Sequence, residues 1–225
     1  MSAITKKLCF LFIILFSITA YAAPVVYTDS AAFNTAISSY TKSTLNFDSD
    51  AAGSLIADGG TLGGITFSYP TLASFGVAMQ VVTGSPTTSS PNFLGTNDGD
   101  LFQAGDNFSL SFAASHAIGM FFISADEMFD HDIELIVNST TASLAASDAI
   151  ALDAVNNAYF LGIVDDTNTF NSVGVSSLSC GACFLYNVDD ITIATTPSNS
   201  VPTPSVIWLL MAGLFPMLGN IKARS

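Results

Sequence analysis

The chain has 225 residues and carries 18 aspartates and glutamates against 5 lysines and arginines, a formal net charge of −13 at pH 7. Nucleic acid is excluded as a partner, because phosphate binding needs clustered lysine and arginine side chains. Lys42 is the one basic residue between positions 23 and 196. The acidic side chains of that region favour solubility and divalent cations, above all calcium, whose ligands are carboxylate and carbonyl oxygens.

Residues 1–22 have the three parts of a secretory signal peptide. Lys6 and Lys7 precede an apolar segment from Leu8 to Ile18, and Ala20 and Ala22 form a small-x-small cleavage site. A retained membrane helix is the alternative, but the apolar segment is shorter than the roughly 20 residues that a span needs. We therefore predict cleavage by signal peptidase after Ala22 and export of the remainder.

Residues 23–196 are predicted to form one acidic β-sandwich domain, and their number suffices for a hydrophobic core. A short helix is expected after Asp29 or Ser30, because Phe33, Ile37 and Tyr40 recur at helical spacing. Apolar residues then alternate with polar ones, as in strands, in segments 44–47, 65–69, 77–82, 108–112, 118–124, 133–137, 159–164, 172–175 and 184–193.

Glycine, proline and asparagine turn signals separate these strands. The pattern predicts an all-β fold, an antiparallel β-sandwich of jelly-roll-like type with one short N-terminal helix. A mixed α/β sheet is the alternative, and only residues 142–155 have a pattern that could supply the helix it needs.

Two acidic clusters lie in predicted loops. Asp98, Asp100 and Asp106 surround a glycine-rich turn, and five ionisable residues lie between Asp126 and Asp132. Either cluster could chelate a metal ion, but neither has the ligand spacing of an EF-hand loop. We interpret both as hydrated loops.

Segments near the two ends of the domain resemble the first and last strands of carbohydrate-binding jelly rolls and related exported domains. These segments are Leu45 to Asp48 and Tyr186 to Ile191. The resemblance implies that the two strands lie side by side and that Asp48 binds a structural calcium ion together with Asp189 or Asp190. The alternative is that the Asp189–Asp190 pair is simply solvated.

Glycan binding usually needs exposed aromatic side chains. The candidates in or near predicted loops are Tyr69, Phe75, Phe93, Phe102 and Phe129. With 18 phenylalanines in the chain, most of them must belong to the core.

Catalytic signatures are absent from the sequence. There is no Gly-x-Ser-x-Gly elbow, glycine-rich phosphate loop or His-Glu-x-x-His helix, and His116 and His131 are the only histidines. We predict that the protein is not an enzyme. The alternative is a secreted polysaccharide hydrolase in which two carboxylates face one cleft at a separation of roughly 5 to 10 Å.

Two cysteines remain after removal of the signal peptide. Cys180 and Cys183 form a Cys-x-x-Cys sequence just before the last predicted strand. A zinc site would need two further soft ligands, and no other cysteine is left to provide them. In an oxidising compartment we expect a local disulfide between them.

The C-terminal segment has three parts. A linker over residues 197–204 ends in Val201-Pro202-Thr203-Pro204, and residues 205–221 contain no charged side chain. As a helix the apolar segment would be roughly 26 Å long, close to the thickness of a membrane core. Lys222 and Arg224 lie in a basic end, residues 222–225, which favours the cytoplasmic side. We predict a transmembrane helix, with an amphipathic helix docked on the domain as the alternative.

The whole tail resembles the PEP-CTERM sorting signal of Gram-negative bacteria. The features that carry this resemblance are Val201 to Pro204, the apolar residues from Trp208 to Leu214, and the basic end. Thr203 stands where the name of the motif has glutamate. The resemblance implies recognition and cleavage by an exosortase in cells that make exopolysaccharide.

These features together predict a non-catalytic exported protein. We expect it in the inner membrane before sorting, and then at the cell surface or in the extracellular matrix. Polysaccharide and calcium are its expected ligands, and signal peptidase and an exosortase-like enzyme are its expected processing partners.

Overall fold

The structure is a computed structural model that describes residues 23–179 and 183–196. The described residues up to Thr195 belong to one compact unit. Several predictions fall outside the described residues: those on Ala20 and Ala22, Cys180, Val201 to Pro204, the helix over 205–221, and Lys222 and Arg224. Within the described part of the chain, no helix has the length and apolar character needed to cross a membrane.

Short strands make up nearly half of the described residues. They are β1 (Val25–Tyr27), β2 (Thr41–Leu45), β3 (Leu55–Ile56), β4 (Thr61–Leu62), β5 (Ile65–Ser68), β6 (Met79–Thr83), β7 (Asn92–Thr96), β8 (Phe102–Gln103), β9 (Phe108–Ser115), β10 (Ala117–Ser124), β11 (Ile133–Val137), β12 (Thr140–Ser143), β13 (Ile150–Ala151), β14 (Asn157–Val164), β15 (Phe170–Ser177) and β16 (Leu185–Thr195). The helices are α1 (Ser30–Ala36), α2 (Pro70–Ser74) and a 3-10 turn at Ala146–Asp148.

The strands form two antiparallel sheets. The larger has the order β1-β14-β10-β16-β7-β6-β3, with β2 and β8 also paired to β16 and β13 to β14. The smaller has the order β12-β11-β15-β9-β5-β4. Phe67 and Leu110 of the smaller sheet and Met120 and Phe122 of the larger belong to one buried hydrophobic core. The predicted all-β, antiparallel class is therefore confirmed, in a sandwich-like arrangement.

A second apolar cluster lies on the other face of the larger sheet. The predicted helix forms there as α1, and the Asp29 side chain caps it by accepting a hydrogen bond from the Ala32 N–H. Phe33 of α1 packs with Phe160 and Ala194. Since the helix stops at Ala36, Tyr40 lies beyond it and contacts the cluster only as a partly buried residue.

Every predicted strand overlaps an observed one, but β1, β3, β4, β7, β8, β12 and β13 were not predicted. Four of these missed strands have only two residues, too few for an alternation to show. Residues 142–155 contain the end of β12, the 3-10 turn and β13, so the α-helix of the mixed α/β alternative is not formed.

Candidate functional site

The last strand, β16, changes partners along one of its edges. On that edge it pairs with β8 at Tyr186, with β7 at Val188 and with β2 from Ile191 onward. On the other edge its register with β10 shifts beside Asp189 and Asp190, and Asp190 has a φ of 51°. The expected side-by-side position of the first and last strands is therefore observed, as the pairing of β2 with β16.

Asp189 is fully buried at this irregularity. One carboxylate oxygen accepts hydrogen bonds from the Ser89 N–H at 2.8 Å and the Thr88 hydroxyl at 3.0 Å. The other accepts from the Asp190 N–H at 2.8 Å. Burial raises the pKa of the Asp189 carboxyl to about 6 and the charge of Asp190 adds to this effect, whereas the hydrogen bonds from Ser89, Asp190 and Thr88 oppose it.

Thr88 and Ser89 belong to a segment from Ser85 to Pro91 that covers Asp189, which we call the covering segment. Asp48 contacts Asn92, the residue that directly follows this segment. Its Oδ1 accepts a hydrogen bond from the Asn92 N–H at 3.1 Å. The Asn92 side chain in turn donates to the carbonyl oxygens of Phe47 and Asp50. The covering segment therefore joins the regions of Asp48 and Asp189, each of which accepts protein donors.

The carboxylate oxygens of these aspartates are poorly arranged to bind a calcium ion. Both oxygens of Asp189 already face N–H or O–H groups, and Asp190 contributes its own N–H to them. In the part of the chain that the structure describes, no group of three or more His, Cys, Asp or Glu side chains is arranged to hold a metal ion. Calcium binding by Asp48, Asp189 and Asp190 stays a prediction.

A small cavity lies beside the first residues of β16. Its volume is about 200 Å³, and Ser85, Ser124, Asp126, Asn156, Leu185 and Asn187 are among the residues that line it. We call it the distal cavity. The Asp126 carboxylate accepts a hydrogen bond from the Leu185 N–H at 2.8 Å, and the Ser124 hydroxyl donates to the Leu185 carbonyl at 2.7 Å.

Asn187 connects the cavity to the covering segment. Its side chain is 2 % exposed, and its Nδ2 donates to the Pro86 carbonyl at 3.3 Å. Its Oδ1 has no hydrogen-bond partner within residues 23–179 and 183–196, and neither does the buried Thr87 hydroxyl. Buried polar atoms are normally paired. The two unpaired oxygens belong to Thr87, which is close in sequence to Ser85, and to Asn187, which is close in sequence to Asp189, and they mark an unusual site.

The aromatic candidates separate into two groups. Tyr69, Phe93 and Phe102 are buried, so their prediction as a glycan platform is wrong. Phe75 and Phe129 are 79 % and 61 % exposed. A position in or near a predicted loop did not show which of these aromatic side chains are buried. Tyr69, for example, precedes a helix, and its side chain is in the core, where its hydroxyl donates to the Ile56 carbonyl.

The remaining ionisable candidates have structural roles. The buried His116 has its Nδ1 2.7 Å from the Asp165 carbonyl, and the Nδ1 of the exposed His131 lies 3.3 Å from Glu134 Oε1. Asp130 and Asp132 accept backbone N–H groups of their own loop and of its neighbour. Both are loop residues, as predicted, but Asp132 is buried and therefore not hydrated.

One described residue, Cys183, bears on the prediction of a disulfide. Cys183 is disulfide-bonded. Because Cys180 lies outside the described residues, their pairing stays a prediction.

A second cavity lies towards the other end of β16. Its volume is about 220 Å³, and Lys42, Ala113 and Thr195 are among its lining residues. It contains the basic residue of the domain, whereas the distal cavity has an acidic one.

No family model, curated protein or solved structure matches this chain. Its function is therefore inferred from its own residues.

Proposed function

We propose that this chain is a non-catalytic exported protein, with a jelly-roll-like β-sandwich that binds glycan and a C-terminal PEP-CTERM-type sorting signal. The proposal rests on how acidic and basic residues are distributed along the chain. All 18 acidic residues lie in the sandwich region, whereas four of the five basic residues lie in the two apolar end segments. Basic and apolar ends around an acidic folded unit are what export and membrane retention before sorting require.

The two ends of the described sandwich lie near each other in the larger sheet. Val25 pairs with Val164, Val164 with Ala117, and Ala117 with Ala194. Val25 and Ala194 are therefore at the same end of this sheet, roughly 14 Å apart across three strand spacings. Leu185, which lines the distal cavity, begins the strand that Thr195 ends, so the cavity lies towards the opposite end of β16.

Intact mass of the protein from membrane, surface and medium fractions of its native host tests the sorting proposal. We expect a species that starts at Ala23 and ends between Pro202 and Pro204. Replacing both Pro202 and Pro204 by alanine should keep the tail on the protein, because the turn-forming motif is lost. The matched control Pro197→Ala lies in the same linker and should be processed normally. A surface species that retains residues 222–225 would contradict exosortase cleavage.

Retention on exopolysaccharide of the host, together with an assay for released reducing ends, tests the glycan proposal. We expect retention without release of reducing ends. The hydrolase alternative requires release, and its loss on replacing two acids of one cleft. A pKa raised to about 6 is a property of general acids, but the Asp189 carboxylate is buried and bonded to Ser89 and Thr88, so it does not face a cleft.

A further inference from the structure

The distal cavity lies towards the end of the sandwich at which β16 begins. Leu185 begins β16 and lines the cavity, whereas Thr195 ends the same strand. At about 3.3 Å per residue, an antiparallel strand of this length separates the two positions by roughly 30 Å. A ligand in the cavity would therefore lie far from Thr195.

The lining residues set the chemistry of the ligand. Asp126, Asn156 and Asn187 supply oxygen acceptors, and no basic residue lines the cavity. Anionic ligands are disfavoured, and ligands rich in hydrogen-bond donors are favoured. Leu101, Ile123 and Leu185 give the same cavity an apolar surface. Donor hydroxyls next to apolar C–H groups are the combination that a sugar ring presents.

The orphaned Asn187 Oδ1 makes this cavity different from an ordinary surface depression. It is buried and unpaired beside a long 3.3 Å bond from the Asn187 Nδ2 to Pro86. A buried acceptor without a donor is unfavourable. Asn187 itself lines the cavity, so a ligand hydroxyl bound there lies beside this amide and is a candidate for the missing donor.

The walls of the cavity are held in position before a ligand arrives. The Ser124 hydroxyl accepts from the Asp126 N–H at 3.0 Å and donates to Leu185, while the Asp126 carboxylate accepts from the Leu185 N–H. Leu185 also lies two residues after the disulfide-bonded Cys183. Such preorganisation lowers the entropy cost of binding.

We propose that the distal cavity binds a single neutral sugar ring through Asp126 and Asn187. This proposal rests on the proposed function, because it assigns glycan binding to one end of the sandwich. The volume of about 200 Å³ is below the roughly 300–1,000 Å³ of pockets for larger ligands, so one ring is accommodated and not an extended oligosaccharide. A calcium site would need several carboxylates, and Asp126 is the one acidic residue among the lining residues.

Saturation-transfer NMR on the full-length chain in zwitterionic detergent tests the proposal. The probes are glucose, galactose, mannose and N-acetylglucosamine. We expect transfer to at least one of them. Ala125→Phe should abolish it, because exposed Ala125 lines the cavity and a phenyl ring there fills the space. Asp126→Asn should weaken binding about tenfold, since the amide oxygen still accepts from Leu185 but a charge-assisted hydrogen bond to the sugar is lost.

Ala113→Phe is the matched control. Ala113 is also exposed and lines the second cavity, so this variant fills the other end of the sandwich and should bind like the unmodified protein. Transfer that persists in Ala125→Phe would overturn the cavity assignment while leaving glycan binding intact. Transfer to none of the four sugars would overturn the sugar proposal, and retention on exopolysaccharide then shows whether the proposed function also fails. Calcium-induced shifts of Asp126 without any sugar response would make the cavity a cation site instead.

Discussion

At the scale of single residues, Asp189 makes stability depend on pH in the direction opposite to that of most carboxylates. Its pKa is raised from 3.8 to about 6, so the folded protein still holds the proton after the unfolded chain has released it. The stabilisation from this group is complete below about pH 4 and is lost as the pH rises through about 6.

We therefore expect the free energy of unfolding to fall by roughly 2 kcal/mol between pH 4 and 7 because of Asp189. Asp189→Asn should lack this fall. The variant should also be less stable at every pH, because the NH2 group of the new amide would face an N–H donor. Urea unfolding between pH 4 and 7 with a chelator present measures the difference. The matched control Asp153→Asn replaces an exposed acid whose pKa is lowered by hydrogen bonds from Val155 and Asn156, and should keep the fall.

The same titration in millimolar calcium tests the calcium site predicted at Asp48, Asp189 and Asp190. A bound cation would hold Asp189 ionised and remove the fall in stability. An unchanged pH profile would agree with the hydrogen-bond geometry, in which Ser89 and Thr88 occupy the lone pairs of Asp189.

At the scale of elements, α1 packs closely on the larger sheet because glycine occupies the contact. A Cβ built on Gly119 would lie 2.6 Å from Phe160 Cζ and 3.0 Å from Phe33. Both rings belong to the second apolar cluster, so neither can move far without disturbing it.

We expect Gly119→Ala to destabilise the protein by about 1–3 kcal/mol, the usual cost of overpacking a core. Urea unfolding measures this cost. The matched control is Gly99→Ala, since a Cβ at Gly99 meets nothing within 4 Å and its φ is not positive. Equal stability of the two variants would show that α1 does not press on β10.

Strand β16 shows how far a local pattern predicts an element. The alternation around Tyr186 and Val188 predicts a strand that is observed, because core side chains at every second position need only the period of a strand. Its partners could not be predicted. They depend on where β2, β7 and β8 reach the sheet, and no local pattern contains that information.

At the scale of the whole molecule, the sandwich has two different ends. One has Val25, Thr195 and the cavity with Lys42, and the other has the distal cavity with Asp126. The Ala125→Phe and Ala113→Phe variants therefore address opposite ends of one unit.

The sequence by itself determined the all-β class, the capped helix α1 and the acidic character of the domain, because each follows from the period or composition of neighbouring residues. Only the tertiary structure decided which polar and aromatic side chains are buried. Asp189 is buried by Thr88 and Ser89, whose positions are about 100 residues away, and the distal cavity is lined from five separate parts of the chain. Burial depends on which distant segment covers a site, and a one-dimensional pattern does not encode that choice.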